Sequence, residues 1–293
     1  METKAPGLSS PTALLKDSFS LYKTHFKTFL AILIIPVLLE VVVLLLELTA
    51  TGEVLGVALN LVAILQTVFG IIASIVLIKI ISDLHNGNTF TEIGPAYRQG
   101  LIFFLPLIWI GILSAIITWG AFTLLIIPAL IVGVYISTAQ FVVVEESERG
   151  MKAFVKSWNY VKGNWKQVFW RHAFLALLAI GIFAVVATPA FIIGSMNAEM
   201  FEAKIPLFAP LISVFEALVA IASLLFLQPL VTIYYYYVYR ELKAMKPEPF
   251  VEEEKDKVKT WLTILTVLGV ISGIVLILLI LGMLFIAAAL SMR

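Results

Sequence analysis

Seven long apolar runs, separated by short polar segments, dominate the pattern of this sequence. The hydrocarbon core of a bilayer is about 30 Å thick, and a helix needs roughly 20 apolar residues to cross it. Inside lipid the backbone N–H and C=O groups must pair within their own segment, so runs of this length predict helices. The predicted spans lie near 28–48, 55–82, 101–118, 121–143, 168–194, 207–238 and 261–290. The predicted fold class is therefore all-α, a polytopic transmembrane helix bundle.

Only Thr118–Gly120 separates the third run from the fourth. A break this short predicts a tight hairpin of two helices. Pro106 and Pro128 lie one in each arm, and we expect both to introduce kinks, because proline removes a backbone hydrogen bond and crowds the carbonyl four residues earlier. Pairing the first six runs in this way gives three hairpins, followed by one C-terminal helix.

The positive charges are divided unevenly between the two ends of these runs. Of the 20 Lys and Arg residues, all except Lys204 and Arg293 lie in the N-terminal tail, at the ends of the even-numbered runs or in the loops that follow them. Lys and Arg are enriched in the cytoplasmic loops of membrane proteins. The pattern therefore predicts a plasma-membrane protein with its N-terminus in the cytoplasm and its C-terminus outside.

The composition excludes a soluble domain and several chemistries. The chain is 61% hydrophobic and 13% charged, whereas soluble domains carry about 25% charged residues. It contains no cysteine, which excludes disulfides, thiolate metal sites and cysteine nucleophiles.

The sixth run ends in an aromatic segment and then a charged one. Tyr234–Tyr237 and Tyr239 precede Arg240, a pattern typical of an aromatic belt at the membrane interface. The charged run Glu252–Lys257 predicts a hydrated linker. The predicted division is a six-span membrane domain at 1–240, a charged cytoplasmic linker at 241–260 and an additional transmembrane helix at 261–293.

Two ten-residue segments, 18–27 (SFSLYKTHFK) and 157–166 (SWNYVKGNWK), align without a gap. Ser18 matches Ser157, and Phe19 matches Trp158. Each segment carries its apolar residues on one helical face and its lysines on another, which predicts amphipathic helices lying in the inner interface. The alternative is a pair of ordinary helices packed on the bundle. A weaker third copy lies at 90–104.

One stretch, 128–169, carries a more specific pattern. It has a proline within a span, an acidic turn, an alanine-containing helix with Ser-Trp, and a Lys-Gly-Asn-Trp ending; the residues are Pro128, Glu145–Glu148, Ala153, Ser157, Trp158 and Lys162–Trp165. This pattern resembles the membrane domain associated with glycerophosphoryl diester phosphodiesterases and related six-span families of bacterial and archaeal membrane proteins. The resemblance covers residues 12 to about 240.

The resemblance implies an accessory membrane domain and not an enzyme. In those phosphodiesterases catalysis resides in a fused soluble barrel that binds a divalent metal, and the polar segments of this chain are too short to form such a barrel. The final helix is also an addition to the six-span pattern. We therefore expect no phosphodiesterase activity and no cofactor.

Two carboxylates, Glu40 and Glu216, lie inside predicted spans. A charge at bilayer depth is costly, so such residues are candidates for function. One hypothesis is a proton- or cation-linked site; the other is hydrogen bonding between packed helices. Pro36 precedes Glu40 by one turn and is expected to leave the carbonyl of Ile32 without its helical partner. Further polar residues that could complete an intramembrane path are Asn60, Gln66, Gln140 and Gln228.

A second candidate site is a group of cations and aromatic residues on the second repeat copy and the start of the fifth span. Lysines near an anionic leaflet attract lipid headgroups, and their position beside the membrane favours lipid over nucleic acid as the partner. The predicted headgroup-binding residues are Lys152, Lys156, Trp158, Lys162, Trp165, Lys166 and Arg171.

Other chemistry has little support in the sequence. No pair among His25, His85 and His172 has the spacing of a zinc site, so no metal site is predicted. Asp83, His85 and Asn88 form a polar group that we interpret as a capped turn with Gly87. The spacing of Gly269 and Gly273 predicts a helix-packing contact.

These patterns predict a non-enzymatic multi-pass membrane protein that acts as a lipid-interacting scaffold or partner-binding domain. The alternative is a transporter or channel for a small solute or lipid that uses the intramembrane carboxylates.

Overall fold

The computed structural model describes residues 7–87, 93–195, 208–246 and 252–291. Within these ranges all regular secondary structure is helical, and seven helices are long and apolar enough to cross a membrane. The predicted all-α polytopic bundle is confirmed. Lys204, Arg293 and Asn88 lie outside the described residues, as do residues 90–92 of the third repeat copy. The candidate spans are Phe26–Thr49, Leu55–His85, Gly94–Leu124, Ile126–Glu146, Trp165–Val185, Pro210–Met245 and Glu252–Ala288.

The helices group into two compact units. In their described parts, unit 1 comprises Met1–Phe104 with Phe169–Glu241, and unit 2 comprises Leu105–Val168 with Leu242–Arg293. A π-helical turn at Ser223–Leu227 joins the helix Phe208–Ala222 to the helix Gln228–Met245. The helices are α1 (Pro11–Thr24), α2 (Phe26–Thr49), α3 (Gly52–His85), α4 (Ile93–Leu124), α5 (Ile126–Ile136), α6 (Ala139–Glu146), α7 (Met151–Val161), α8 (Trp165–Ser195), α9 (Phe208–Ala222), α10 (Gln228–Met245) and α11 (Glu252–Ser291).

Unit 1 is built on α2 and α3, which pack along each other. Phe29, Ile32 and Leu33 of α2 are fully buried. Helix α1 begins at Ser10, whose hydroxyl accepts a hydrogen bond from the Ala13 N–H at 3.2 Å. Such an N-cap satisfies one of the backbone donors that the first helical turn leaves without a partner.

Three of the five tyrosines near the end of α10 do not belong to the predicted interfacial belt, whereas Tyr235 and Tyr237 are half-buried. Tyr234, Tyr236 and Tyr239 are fully buried. The Tyr234 hydroxyl donates to the backbone carbonyl of Arg171 at 3.2 Å. The prediction was wrong for these three residues, because a tyrosine whose hydroxyl finds a partner inside the protein has no need of the interface.

The break between the third and fourth spans lies at Leu125, and the predicted break at Thr118–Gly120 was wrong. Helix α4 continues to Leu124, and α5 begins at Ile126. Pro128 lies in the first turn of α5, where its missing N–H is tolerated, and its ring crowds the carbonyl of Leu124, the residue at which α4 ends. The proline therefore ends one helix and starts the next.

Gly120 remains helical and brings α4 close to α11 in unit 2. A Cβ atom at Gly120 would overlap the backbone carbonyl of Leu265, and one at Gly269 would overlap the backbone of Ile116. Gly273 has no other atom within 4 Å of the position that a Cβ would occupy. Of the glycine pair predicted to pack, only Gly269 makes the close approach.

The charged run Glu252–Lys257, which we predicted to be part of a hydrated linker, is helical. It forms the first turns of α11, where Lys255 pairs with Glu252 at 2.8 Å and Lys257 pairs with Glu253 at 2.7 Å. Acidic residues in the first turn stabilise a helix because they interact favourably with the positive end of its dipole. Oppositely charged residues three or four positions apart stabilise the helix further. The same charges that suggested solvent exposure therefore also stabilise a helix.

The two repeat copies share one buried position. Ser18 of α1 and Ser157 of α7, which align in sequence, are both fully buried. The Ser18 hydroxyl donates to the carbonyl of Leu14 at 2.7 Å, and the Ser157 hydroxyl donates to that of Tyr135 at 2.8 Å. Residues 18–24 lie in α1 and residues 157–161 in α7, as predicted, whereas residues 162–164 form a turn before α8.

Candidate functional site

Two of the six predicted intramembrane polar residues meet directly. The Gln66 side-chain amide of α3 donates a hydrogen bond to the Glu40 carboxylate of α2. Both side chains are half-buried between the two helices. This contact supplies the carboxylate with a neutral partner inside a candidate span.

The other four residues do not join this pair. Asn60 is exposed, and its amide donates within its own helix to the carbonyl of Gly56 at 2.8 Å. The Gln228 amide donates to the Ser74 hydroxyl at 3.2 Å. Glu216 is exposed on α9, and Gln140 belongs to unit 2. Among these six residues, all of them described, Glu40 and Gln66 form the one hydrogen-bonded pair.

Two prolines in unit 1 each leave a carbonyl that a tyrosine hydroxyl satisfies. Pro36 of α2 removes the helical donor for the carbonyl of Ile32, and the Tyr97 hydroxyl donates to that oxygen. Pro229 does the same for the carbonyl of Leu225, which accepts from the Tyr22 hydroxyl at 2.8 Å. The sequence predicted that the Ile32 carbonyl would lack its helical donor, but it predicted neither of the tyrosine donors.

A charged cluster forms in unit 2 where α6 ends. The Glu146 side chain is only 10% exposed. It accepts hydrogen bonds from the Tyr160 hydroxyl at 2.9 and 3.1 Å, and its oxygens lie 2.6 Å from Lys156 Nζ and 3.3 Å from Lys243 Nζ. Lys156 also reaches Glu148 at 3.5 Å. The α7 side chains therefore hold the end of α6 by charge as well as by packing.

The cluster shifts the ionisation of two α7 side chains. Burial by itself lowers the pKa of Lys156, but its hydrogen bonds and the charges of Glu146 and Glu148 outweigh that effect, and the pKa is raised. Burial, followed by the hydrogen bond from its hydroxyl to Glu146, raises the pKa of Tyr160 well above its ordinary value. Both groups therefore keep their protons at neutral pH.

A pocket of about 750 Å³ lies beside this cluster, within unit 2. It is lined by five lysines, four carboxylates and a few apolar and polar side chains. The sequence assigned much of this lining to a linker, so the pocket was not predicted. The lining residues are Glu146, Glu148, Met151, Lys152, Val155, Lys156, Asn159, Tyr160, Lys246, Glu252, Lys255, Asp256 and Lys259.

Three of the five cations predicted to bind headgroups are held by the protein itself. Lys156 pairs with Glu146 and Glu148. Lys162 pairs with Glu254 of α11. Arg171 is buried. Lys152 and Lys166 are exposed and make no ion pair with any described residue.

The two predicted tryptophans are also partly covered. Trp158 stacks on Tyr135, with 4.0 Å between ring centroids and 11° between planes. Trp165, at the start of α8, is half-buried. Neither ring is fully open to a headgroup.

Arg171 binds the N-terminal segment of unit 1 through hydrogen bonds to its backbone. Its Nε donates to the carbonyl of Ser9 at 2.9 Å, and its Nη2 donates to the carbonyls of Leu8 and Ser9. The Ser9 N–H in turn donates to the Glu241 carboxylate at 3.0 Å. A buried guanidinium needs such acceptors, because it cannot lose its charge.

The apolar face of α7 is covered by protein, which contradicts its predicted interfacial position. Ala153, Phe154, Val155, Tyr160 and Val161 are buried, and the helix packs against α5, α6 and α11. On α1, in contrast, Phe19 is 55% exposed although Leu14 and Tyr22 are buried. The two repeat copies share a pattern but differ in what covers their aromatic residues.

Two of the three histidines lie beside aromatic rings. The His172 ring centroid is 4.8 Å from that of Tyr235, and the His85 centroid is 5.8 Å from that of Tyr237. Helix α3 ends at His85, and Gly87 has a φ of 77° in the turn that follows, as predicted; the predicted capping by Asn88 lies outside the described residues. Within the described ranges no group of three or more His, Asp or Glu side chains is arranged to hold a metal ion.

The fold and these sites define a multi-pass helical membrane protein. Comparisons with known protein families, with curated proteins and with solved structures found no match. The resemblance to the phosphodiesterase-associated membrane domain therefore remains a prediction.

Proposed function

We propose that this chain is a non-enzymatic membrane scaffold or partner-binding domain that contacts anionic lipid of the inner plasma-membrane leaflet through α1. The observation that carries the proposal is the exposed face of this helix. Phe19 is 55% exposed, and Lys16 and Lys23 on the neighbouring face are also exposed. An apolar side chain beside lysines that make no ion pair with any described residue matches the face of an interfacial helix.

The position of α1 along the chain supports the same function. The first span begins at Phe26, one residue after His25 ends α1. The helix therefore lies at the level where the chain enters the bilayer. Leu14, Ser18 and Tyr22 attach it to unit 1, which leaves Phe19 and the lysines for lipid. Each cation close to an anionic surface contributes about 1 kcal/mol.

Nitroxide labels on single cysteines test this proposal, since the chain has no native cysteine. Phe19→Cys carries the label on the proposed lipid-facing side, and Asp17→Cys, also exposed, is the control on another side of the helix. The full chain is placed in phosphatidylcholine vesicles with or without phosphatidylglycerol. Collision rates with oxygen, which concentrates in lipid, and with a water-soluble nickel complex then report the depth of each label.

The proposal predicts an oxygen-rich environment for the label at residue 19 and an aqueous one at residue 17. Phosphatidylglycerol should deepen the label at residue 19, and Lys16→Gln with Lys23→Gln should abolish that change. Equal exposure of both labels to the nickel complex would mean that α1 lies in water, and the proposal would fail.

A second candidate function, transport of a small solute or lipid, has one specific observation in its favour. Glu40 is a carboxylate in a candidate span, and its hydrogen-bond partner Gln66 is neutral. A carboxylate without a paired cation can exchange a proton or a cation. This function requires water at Glu40.

A further inference from the structure

Three lysines line the pocket in unit 2 without making an ion pair to any described residue. Lys152 lies on α7, Lys246 follows the last residue of α10, and Lys259 lies on α11. The five lysines of the lining outnumber its four carboxylates, and three of these carboxylates are paired within the lining: Glu146 and Glu148 with Lys156, and Glu252 with Lys255. Asp256 is the remaining carboxylate of the lining. The pocket therefore has an excess of positive charge that an anion would offset.

The pocket lies close to the expected membrane boundary. The uninterrupted apolar part of α11 begins at Trp261, which is exposed. Lys259 precedes it by two residues, or about 3 Å along a helix. Glu146, on the other side of the pocket, is the last residue of the fourth candidate span. This is the depth at which lipid phosphates lie, just outside the hydrocarbon core.

The size and walls of the pocket suit a phosphate ester. A volume of about 750 Å³ lies within the range of small-molecule sites, which is about 300–1,000 Å³. Met151 and Val155 add an apolar wall beside the lysines. We propose that this pocket binds a phosphate-bearing anion, either the headgroup of an anionic phospholipid or a soluble phosphate ester.

This inference deepens the proposed function and rests on it only for the membrane setting. The site differs from the exposed face of α1, because its residues come from other helices and belong to unit 2. Variants at Lys16 and Lys23 test the function of α1, and variants at the three pocket lysines test the pocket. Failure of one proposal can therefore be distinguished from failure of the other.

The test uses the purified full chain and a triple variant, Lys152→Gln, Lys246→Gln and Lys259→Gln. The matched control removes three cations that do not line the pocket: Lys27→Gln, Arg98→Gln and Lys257→Gln. A third variant replaces the three pocket lysines by arginine and keeps the charge. Native mass spectrometry in detergent measures retained phosphatidylglycerol, and thermal unfolding at constant ionic strength measures stabilisation by glycerol 3-phosphate.

We expect one phosphatidylglycerol per chain, bound roughly a hundredfold more weakly by the pocket variant, because each cation contributes about a fivefold change in affinity. The matched control and the arginine variant should retain binding. If the pocket variant loses only the stabilisation by glycerol 3-phosphate, the site takes a soluble ester. If the pocket variant and the control bind both probes equally, the proposal is overturned, provided that their circular dichroism spectra match.

Discussion

The hydroxyl of Tyr97 in α4 donates a hydrogen bond to the carbonyl of Ile32 in α2. That carbonyl lacks its helical donor because Pro36 lies four residues further along. The Tyr22 hydroxyl serves the carbonyl of Leu225 in the same way, one turn before Pro229. In unit 1, tyrosines from other helices therefore satisfy the backbone groups that two span prolines leave without partners.

Tyr97→Phe should lower the free energy of unfolding by about 1 kcal/mol, because the Ile32 carbonyl would lose its donor inside a span. Pro36→Ala restores the backbone N–H that can serve this carbonyl. In the Pro36→Ala background Tyr97→Phe should therefore cost much less. Denaturant unfolding in mixed micelles of the four proteins in this cycle measures the coupling. Equal costs of Tyr97→Phe in both backgrounds would show that the tyrosine acts independently of the proline.

Gly120→Ala and Gly269→Ala should each destabilise unit 2 by about 1–3 kcal/mol, because the new methyl group would meet the backbone of the facing helix. Gly273 supplies a matched control on α11. Gly273→Ala meets nothing within 4 Å and should raise helix stability by up to about 1 kcal/mol. Thermal unfolding of the three variants is the measurement. A similar loss in all three would mean that helix propensity, and not helix contact, decides the outcome.

The stability of the Glu146 cluster should fall at high pH. The folded pKa values of Lys156 and Tyr160 are both raised. Their contribution is therefore complete below the unfolded values, near 10, and is lost as the pH rises through the folded values. Wild type should be stable from neutral pH to about pH 9 and then lose stability more steeply than Tyr160→Phe combined with Lys156→Gln. Melting temperatures across this range test the difference, and parallel curves would exclude the cluster as its source.

Glu40→Cys should resist a membrane-impermeant thiol reagent in intact membranes if the Glu40–Gln66 contact is a packing contact. A thiol reacts as the thiolate, which requires water. Glu53→Cys is the positive control, because Glu53 is exposed in the first turn of α3 on the side predicted to face outward. Rapid labelling at residue 40 would favour the transport function.

The spans could be predicted because hydropathy over about 20 residues is a strong signal, whereas the position of each break depends on single residues. Gly120 looked like the end of a helix, but a glycine in a span can equally allow another backbone to approach. Pro128 was the better indicator of where the helix breaks, because a proline ring crowds the carbonyl four residues earlier, here that of Leu124. The kink that we predicted at Pro128 and the break observed at Leu125 therefore both result from this proline.

The candidate sites were harder to predict, because amphipathic pattern does not show what covers the apolar face. Segments 18–27 and 157–166 share their pattern, yet α7 packs on protein whereas Phe19 of α1 is exposed. The pocket is lined by Lys152 together with Lys246 and Lys259. The last two lie about a hundred residues after Lys152 in the sequence. Such a site arises from tertiary packing, and no short sequence motif predicts it.

The contacts of the N-terminal segment constrain the order in which the protein matures during synthesis. Ser9 is held by Arg171 and Glu241, and Tyr22 bonds to Leu225. None of these partners exists while the ribosome is still making the first four spans. The N-terminal segment therefore gains these contacts only after translation has passed Arg171, Leu225 and Glu241, and a product truncated before residue 171 would lack all three partners.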